Sequence, residues 1–405
     1  MKPKKICIVT ATRAEYGLLK GIIKRLSAVS GYIVNVAVTG THLSHDFGMT
    51  YREIEKDGIP IDRKIPILEE GDTPSAVSRT MGQAIMRFSD YFEESAPDLL
   101  LVLGDRYETL AICIAAMNRQ IPIAHLYGGE TTEGAIDEAI RHAITKLSYL
   151  HFTSTESYRK RVIQLGEAPE RVFCVGAMGV ENIMRQNLMS REELQQSLAK
   201  EQPGFVLEGD YCVVTFHPVT LENGSEKKQM EELLAAIRRT ENCRFLITKA
   251  NADAGGRTIN AMLDEFFAQE ENTHPGKLFL TKSLGMVRYL SALKYSAMVL
   301  GNSSSGLVEA PSFHIPTVNI GNRQKGRLAG DTVINCEPVC EDILCAMQKA
   351  RTEDFRDKCR RAVNPYGDGN TSEKVVAVIR KWLEQGRIRL MKQFFDIDFE
   401  TESGT

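Results

Sequence analysis

The chain has 405 residues, 43% of them hydrophobic and 25% charged, so it is long enough for two or three domains and too apolar to be disordered. Its net charge of −3 gives no general attraction to nucleic acid or to an anionic membrane, and we expect neither as a partner. Any anion that the protein binds must therefore be held by a local site.

The nine cysteines are scattered, mostly within apolar runs such as "KKICIVT" and "DYCVVTF", and none forms a CxxC pair. This usage predicts buried free thiols in a reducing compartment and no metal. A metal at Cys336, Cys340 and Cys345, which lie close together in sequence, is the alternative. The start lacks a signal-peptide pattern and no stretch is long enough to span a bilayer, so we expect a cytoplasmic protein.

Short β-rich runs alternate with segments of helical period, which predicts α/β units with parallel sheets. The first half contains the predicted strands "KICIVT", "IVNVAVT", "DLLLVLG", "IPIAHLY", "YLHFTST" and "VFCVG". A second series begins near Asp210 with "YCVVTF", "CRFLITKA", "KLFLTK", "AMVLG" and "PTVNI". Two such series predict two sheets that face each other across a cleft, with ligands at the carboxyl ends of the strands.

A polar, helical segment at residues 181–210 separates the two series and resembles a connector. We therefore predict an N-terminal domain at residues 1–178 and a C-terminal domain at residues 179–373. The last apolar-periodic segment predicts a helix at residues 374–400 that crosses back onto the first domain.

In the first half, charged residues follow the predicted strands. The first strand leads into "TATRAEYG" rather than GxGxxG, which disfavours a nicotinamide or flavin cofactor and places Arg13 where a guanidinium suits phosphate oxygens. Asp105 and Arg106 end an apolar strand; Asp105 is either a helix N-cap or an active-site acid or base. Further acid/base candidates are His42 and Asp46.

The stretch "IAHLYGGETTEGAIDEAIRHAITK" is the densest in titratable groups, with Glu130 before a predicted helix that carries Asp137, Arg141 and His142. Asp137 and Arg141 are four residues apart and are able to form a simple helical salt bridge. The number of titratable groups after one strand favours a site over that interpretation.

In the second half, His217 follows a strand and Asn251 follows the next. The stretch "GNSSSG", Gly301 to Gly306, is not a Walker A loop, but its serines predict the cap of a helix whose N-terminus favours an anion. A plain polar turn is the alternative. Glu309 lies one turn further on, where a carboxylate is able to accept hydrogen bonds from ribose hydroxyls, and Arg323 follows a later strand.

Together the stretches "TRAEYG", "GTHLSHDFGMTYREIE", "LGDRYE", "HLYGGETTEGAIDEAIRHAITK", "HPVT", "NADAG", "GNSSSGLVE" and "GNRQKGR" resemble the hydrolysing, sialic-acid-pathway branch of the UDP-N-acetylglucosamine 2-epimerase family. The resemblance covers nearly the whole chain. It implies the GT-B arrangement of two Rossmann-like domains around a UDP-sugar cleft.

By this resemblance, one set of residues matches nucleotide-binding positions: Arg13, Arg106, His217, Asn251, Ser303, Ser304, Glu309 and Arg323, with Ser305 and Gly306 in the same loop. Asp105, Glu130 and Asp137 match acidic positions near the sugar, and His42 a residue close to it. His217 is also a catalytic candidate, through stabilisation of the leaving group. Tyr127 stands where some members have a glutamate, so the resemblance predicts a set of carboxylates rather than one base.

The implied reaction converts UDP-N-acetylglucosamine and water to N-acetylmannosamine and UDP through a 2-acetamidoglucal, without a redox cofactor or metal. The resemblance also implies a homodimer or homotetramer. The alternatives are the same reaction on UDP-2,4-diacetamido-2,4,6-trideoxy-glucose, the non-hydrolysing epimerase, a GT-B glycosyltransferase, and a catalytically silent nucleotide-sugar sensor.

Overall fold

The computed structural model describes residues 3–71, 73–132, 136–219, 225–250, 256–386, 388 and 390–398. These residues form two compact units. Unit 1 consists of the described residues of Met1–Glu130, Asp137–Glu181 and Gly367–Thr405, and unit 2 of those of Thr131–Ile136 and Asn182–Tyr366. The chain thus leaves unit 1 and later returns to it.

Each unit has one parallel sheet. The seven-stranded sheet of unit 1 has the order β3-β2-β1-β4-β5-β6-β7, with β1 Lys4–Thr10, β2 Tyr32–Thr39, β3 Ile61–Ile65, β4 Leu99–Leu103, β5 Ile123–Leu126, β6 Leu150–Thr153 and β7 Val172–Cys174. The six-stranded sheet of unit 2 has the order β10-β9-β8-β11-β12-β13, with β8 Tyr211–Thr215, β9 Arg244–Thr248, β10 Leu278–Thr281, β11 Met298–Gly301, β12 Thr317–Ile320 and β13 Val333–Cys336. In both sheets the strand order reverses beside the first strand, as in doubly wound folds.

The helices in chain order are α1 Arg13–Ser27, α2 Tyr51–Lys56, α3 Pro74–Ser95, α4 Tyr107–Asn118, α5 Asp137–Leu147, α6 Glu156–Gln164, α7 Met178–Arg185, α8 Arg191–Ala199, α9 Glu226–Arg239, α10 Gly256–Thr273, α11 Gly285–Tyr295, α12 Ser305–Val308, α13 Cys340–Arg351, α14 Glu353–Arg361 and α15 Thr371–Glu384. Short 3₁₀ helices lie at Gly40–Leu43, Pro169–Arg171 and Ala310–Phe313.

Helices cover both faces of the unit 1 sheet. Alternate side chains of β1 point to opposite faces, so Ile6 and Ile8 pack with α1 and α15, whereas Cys7 and Val9 pack with α3 and α4. Because both faces are buried, the central strands read as continuous apolar runs, and all five residues of β4 are buried. Full burial of each leucine or isoleucine side chain contributes about 2 kcal/mol.

Unit 2 repeats this arrangement, and its first helix corrects an expectation. Residues 181–210 are not a loose connector, because α8 buries Leu194 and Leu198 completely in the cluster that also contains Tyr211 and Val213 of β8. A capping box begins α8: Glu193 N donates to Ser190 Oγ, and Ser190 N donates to Glu193 Oε2. The polar surface of this helix is its solvent face.

Two edge strands are absent from the prediction. β3 has the sequence "IDRKI" with its three central residues exposed, and β13 has "VINC" with one fully buried residue. Strands at the edge of a sheet keep little apolar character, so neither produces the continuous apolar run by which the others were found.

The predicted helix at residues 374–400 is too long, because α15 ends at Glu384. Within it, Val375 and Ile379 are fully buried in the unit 1 core, and Glu181 accepts hydrogen bonds from the Ser372 backbone N–H and hydroxyl. The segment at 390–398 is not helical. It is anchored by Lys392 Nζ, which lies 2.8 and 2.9 Å from the two carboxylate oxygens of Glu167.

Candidate active site

Unit 1 collects polar side chains at the carboxyl ends of four adjacent strands, β2, β1, β4 and β5, and at the start of α5. The predicted residues located there are Arg13, His42, Asp105, Arg106, Glu130 and Asp137. Because the strands are parallel, their carboxyl ends meet at one edge of the sheet.

Arg141 organises this edge although its side chain is only 1% exposed. Its Nε donates to Asp105 Oδ2 at 3.0 Å, and Nη2 donates to the same oxygen. Its Nη1 donates to the carbonyl oxygen of Glu130 at 2.8 Å and to Glu138 Oε2 at 2.5 Å. The guanidinium therefore fixes the Asp105 carboxylate and the backbone of Glu130, a role that the sequence interpretation of Arg141 as a helical ion-pair residue did not include.

Glu130 is 7% exposed, and its Oε1 accepts a hydrogen bond from Ser154 Oγ at 2.9 Å. Tyr127, at the position where some family members have a glutamate, has its hydroxyl turned to the start of α7, where it accepts from Met178 N at 2.9 Å. The acidic groups that the resemblance matches to positions near the sugar are therefore Asp105, Glu130 and Asp137, which begins α5.

Two buried histidines of unit 1, His42 and His125, are neutral near neutral pH. Burial lowers the pKa of His42 to about 4, and its Nε2 and Nδ1 lie 3.0 and 2.8 Å from the hydroxyls of Thr10 and Thr50. Burial also lowers the pKa of His125 to about 4, and its Nε2 donates to the carbonyl oxygen of Gly104 at 2.8 Å. Both rings are held in place by hydrogen bonds.

The two unit 1 arginines predicted to bind nucleotide each have a carboxylate partner. Arg13, half exposed as the first residue of α1, has its Nε 3.0 Å from the carboxylate of Glu53. Arg106 Nε donates to Glu108 Oε1 at 2.6 Å, and about a third of the Arg106 side chain is exposed whereas Glu108 is buried. The pKa of Arg106 is raised, chiefly by the charge of Glu108.

In unit 2, Asn302 joins three strand ends. Its side chain accepts from His217 N and donates to His217 O, both at 2.7 Å, and so clamps the chain after β8. Its own carbonyl oxygen accepts from Gln324 Nε2 at 2.8 Å and Arg323 Nη1 at 3.3 Å, after β12. Asn302 was not among the predicted site residues; the available indication was its position directly after the buried strand β11.

His217 is a neutral group within this cluster. Burial, followed by the positive charge of Arg323, lowers its pKa to about 3. A neutral imidazole close to a guanidinium is able to donate a hydrogen bond to an anion without first taking up a proton.

The serine loop differs from the prediction in one respect. The helix after the serines, α12, has only four residues, and Ser304 at its N-cap makes no capping hydrogen bond with its side chain. Instead Tyr289 donates to Ser305 Oγ at 2.7 Å, and Gly306 N donates to Ser303 O at 3.2 Å. Any anion at this loop would therefore meet serine hydroxyls rather than a long helix dipole.

Close packing explains why position 306 is a glycine. A Cβ at this position would lie 2.6 Å from Thr317 Cγ2 on β12, so only glycine permits this close approach. Glu309 is the C-cap residue of α12, directly after the last helical residue. Asn251 lies outside the described residues.

The described part of the chain contains no group of three or more His, Cys, Asp or Glu side chains that is able to hold a metal ion. All nine cysteines are free thiols. Among the described residues, no helix is both long and apolar enough for a membrane span.

Two doubly wound α/β units, with carboxylates at the sheet edge of one and a serine loop at that of the other, define the GT-B class of nucleotide-sugar proteins, and the predicted fold class is confirmed. The model of the UDP-N-acetylglucosamine 2-epimerase family matches residues 24–380. The chain belongs to that family, and the hydrolysing branch identified from the sequence motifs is confirmed, as is the enzyme class.

Two curated relatives cover nearly the whole chain. The "GDP/UDP-N,N'-diacetylbacillosamine 2-epimerase (hydrolyzing)" of Campylobacter jejuni is 39% identical over 98% of this chain and 100% of its own length. The "Polysialic acid biosynthesis protein P7" of Escherichia coli is 37% identical over 97% of this chain and 98% of its own.

Among solved structures, that of the Neisseria meningitidis UDP-GlcNAc 2-epimerase bound to UDP-GlcNAc has a TM-score of 0.77 at 19% identity. The match covers 93% of this chain and 100% of that one, and at this identity it supports the fold alone.

Proposed function

We propose that the chain hydrolyses a UDP-2-acetamido sugar with inversion at carbon 2. In the first half-reaction the bond from carbon 1 to the UDP oxygen breaks and carbon 2 loses its proton, which gives UDP and a 2-acetamidoglucal. In the second, water adds to the double bond, with the hydroxyl at carbon 1 and a proton on the opposite face of carbon 2. The sum is substrate plus water to UDP plus the free sugar.

The observation that carries this proposal is the buried guanidinium of Arg141, which fixes the carboxylate of Asp105 and the backbone of Glu130. Burial of a charged side chain costs free energy, and here it places acidic groups with a set orientation at the end of a sheet where ligands bind. Carboxylates at this position stabilise the positive charge that develops on the sugar as the glycosidic bond breaks.

Proton transfer is assigned to the same set of carboxylates. Asp105 is paired with Arg141, and this favours an electrostatic role for it over proton abstraction. Glu130 and Asp137 are the candidates for the base at carbon 2 and for the group that handles the water. His42 is assigned a supporting role, because both of its ring nitrogens lie against threonine hydroxyls.

The leaving diphosphate is assigned to unit 2, and Arg13 and Arg106 of unit 1 keep the nucleotide-binding assignment that the resemblance gives them. His217, the serines at 303–305 and Arg323 supply neutral and charged donors near the ends of β8, β11 and β12. Donors that are already oriented stabilise the negative charge as it develops on the leaving group, without rearrangement during the reaction. Glu309 is assigned to the ribose hydroxyls.

Two sugars are candidates for the substrate. The relative that is 39% identical is named for diacetylbacillosamine, which favours UDP-N,N'-diacetylbacillosamine. UDP-N-acetylglucosamine is the prediction from the sequence motifs, and the relative named for polysialic acid biosynthesis is nearly as similar at 37%.

The test is incubation of the purified protein with each UDP-sugar in heavy water, without an acceptor, followed by proton NMR. The expected result is stoichiometric UDP with a free 2-epimerised sugar that carries deuterium at carbon 2. Release of a sugar nucleotide with UDP still attached would identify a non-hydrolysing epimerase. Turnover only when an acceptor sugar is added would identify a glycosyltransferase, and either outcome would refute the proposal.

A further inference from the structure

Unit 1 contains a pair of buried carboxyl groups that the reaction as described does not use. Glu15 lies in the first turn of α1 and is 8% exposed, and Glu108 lies in the first turn of α4 and is 1% exposed. The two helices follow the adjacent strands β1 and β4, so the two carboxyls lie at the same edge of the sheet as Asp105.

Each carboxyl has one oxygen with partners and one without. Glu15 Oε2 accepts from Ala11 N at 2.7 Å and from Thr12 N at 3.2 Å, and Glu108 Oε1 accepts from Arg106 Nε at 2.6 Å. Glu15 Oε1 and Glu108 Oε2 are buried, and no hydrogen-bond partner for either lies among the residues that the structure describes. A buried charged oxygen without a partner is costly, and a proton on the carboxyl removes the charge that such an oxygen would carry.

The charges around Glu15 and Glu108 also favour a proton on one of the two carboxyl groups. Two carboxylates and the single guanidinium of Arg106 would leave an uncompensated buried negative charge. Burial, and then the charge of Glu108, raise the pKa of Glu15 to about 7, although Arg106 and the Ala11 and Thr12 N–H groups oppose this rise. The capping box that Glu15 forms with Thr12 needs only an acceptor oxygen, which a protonated carboxyl still provides.

We propose that Glu15 is a positioning residue: in its protonated form it leaves Arg106 held by one carboxylate, Glu108, so that the guanidinium directs its remaining donors to an anionic part of the substrate. The role of Arg106 toward substrate rests on the function proposed above. When Glu15 loses its proton, a second carboxylate competes for the guanidinium and adds negative charge beside an anionic ligand. Binding of the UDP-sugar then weakens as the pH rises.

The experiment compares wild type with Glu15→Gln, in which an amide replaces the protonated carboxyl at nearly the same size. The matched control is Glu193→Gln, which makes the same change in the capping box of α8, where the glutamate is exposed. For wild type and the control we expect the KM for the UDP-sugar to rise about tenfold between about pH 6 and about pH 8.5, with kcat changing less. For Glu15→Gln we expect a rise of no more than about twofold.

A purely structural role for Glu15 would alter stability without removing the pH dependence of KM, so an equal rise of KM in all three proteins would overturn the proposal. A second measurement is independent of activity. Urea unfolding of wild type should show stability that declines, relative to Glu15→Gln, as the pH rises from about 5 to about 8, because the folded state holds a proton that the unfolded chain has released.

Parallel pH profiles of stability in wild type and Glu15→Gln would overturn the assignment of the proton. If wild type turns over no UDP-sugar, the function proposed above fails, and the unfolding profiles alone then decide the protonation of Glu15. The two failures are therefore distinguishable.

Discussion

The two sheet edges that carry the predicted residues differ in how they are built. At the edge of unit 1, charged groups are paired with one another: Arg141 with Asp105, Arg106 with Glu108, and Arg13 with Glu53. At the edge of unit 2, amides and hydroxyls are hydrogen-bonded to the backbone, with Asn302 at the centre. Paired charges suit a site where charge and protons move, whereas neutral oriented donors suit a site that holds an anion through the reaction.

The largest effect that this comparison predicts is on turnover, and it concerns the carboxylate of Asp105 in unit 1. Asp105→Asn should lower kcat by about a hundredfold or more while UDP still binds, because the sugar loses a charge fixed by Arg141. The measurement is steady-state kinetics together with a UDP titration by calorimetry.

A control for that variant lies at the opposite end of the same strand. Asp98 accepts from Lys5 N at 2.8 Å before β4 begins, so Asp98→Asn makes the same change away from the site and should leave kcat within about twofold. Near-normal turnover in Asp105→Asn would exclude an essential role and would remove the main distinction between the two edges.

The next largest effect is on substrate binding, and it concerns the side-chain amide of Asn302 in unit 2. Asn302→Ala removes both hydrogen bonds to the His217 backbone and should raise KM about thirtyfold, with kcat reduced by less than about threefold, because the donors lose their orientation. The measurement is steady-state kinetics of the purified variant, after circular dichroism has shown that it is folded like the wild type.

Gln195→Ala is the matched control for Asn302→Ala. Gln195 of α8 also uses its side-chain amide to hold unit 2 backbone, donating to Phe205 O at 2.8 Å and accepting from Leu207 N. Similar losses of stability but unequal changes in KM are expected for the two variants. Equal changes in KM would mean that Asn302 acts only through stability.

A smaller effect concerns acid stability through His217. The pKa of His217 falls from its ordinary value of 6.5 to about 3 in the folded protein. The unfolded chain therefore takes up a proton on this histidine at a higher pH than the folded protein does, and stability is lost as the pH falls below about 6.5. Between about pH 6.5 and about pH 5 this loss amounts to about 2 kcal/mol for one such histidine.

The variant His217→Gln should therefore lose less stability over that interval than wild type does, as measured by urea unfolding at each pH. His274→Gln is the control, because His274 is an exposed histidine of unit 2. An identical acid profile for His217→Gln and wild type would show that the imidazole is not buried as a neutral group.

The smallest effect is expected where charged groups of unit 1 lie away from the strand ends. Burial raises the pKa of Glu167, but hydrogen bonds from His151, Lys146 and Lys392 lower it more, to about 2. Lys392→Met removes one of these cations and should cost about 1 kcal/mol of unfolding free energy without changing KM. A change in KM would show that the charged groups of unit 1 act as one network.

The sequence predicted what depends on local pattern. Buried strands such as β4 appear as apolar runs, and the polar residues after them define a site edge once the strands are known to be parallel. Partners were not predictable in this way: spacing offered a helical salt bridge of Arg141 with Asp137 only as the alternative to a site, and nothing local indicated Asp105, 36 residues away.

The remaining differences have the same cause. The serines of "GNSSSG" indicate a capped helix, and Ser303 Oγ does accept from Ser305 N at 3.4 Å. The helix α12 is nevertheless a single turn, followed by the 3₁₀ helix at Ala310–Phe313. In the sequence Asn302 is an ordinary polar residue, and only the tertiary structure shows that it lies between three strand ends. Residues that act through distant contacts leave no periodic or local pattern in the sequence.

The return of the chain to unit 1 has a consequence for synthesis. Apart from residues 131–136, unit 2 is an insertion between Glu181 and Gly367, so the side chains that complete the unit 1 core, Val375 and Ile379, are synthesised after unit 2. Unit 2 is able to fold while unit 1, although it begins the chain, still lacks a helix. The edge that carries Asp105 therefore gains its full support only when α15, which follows unit 2 in the chain, has docked.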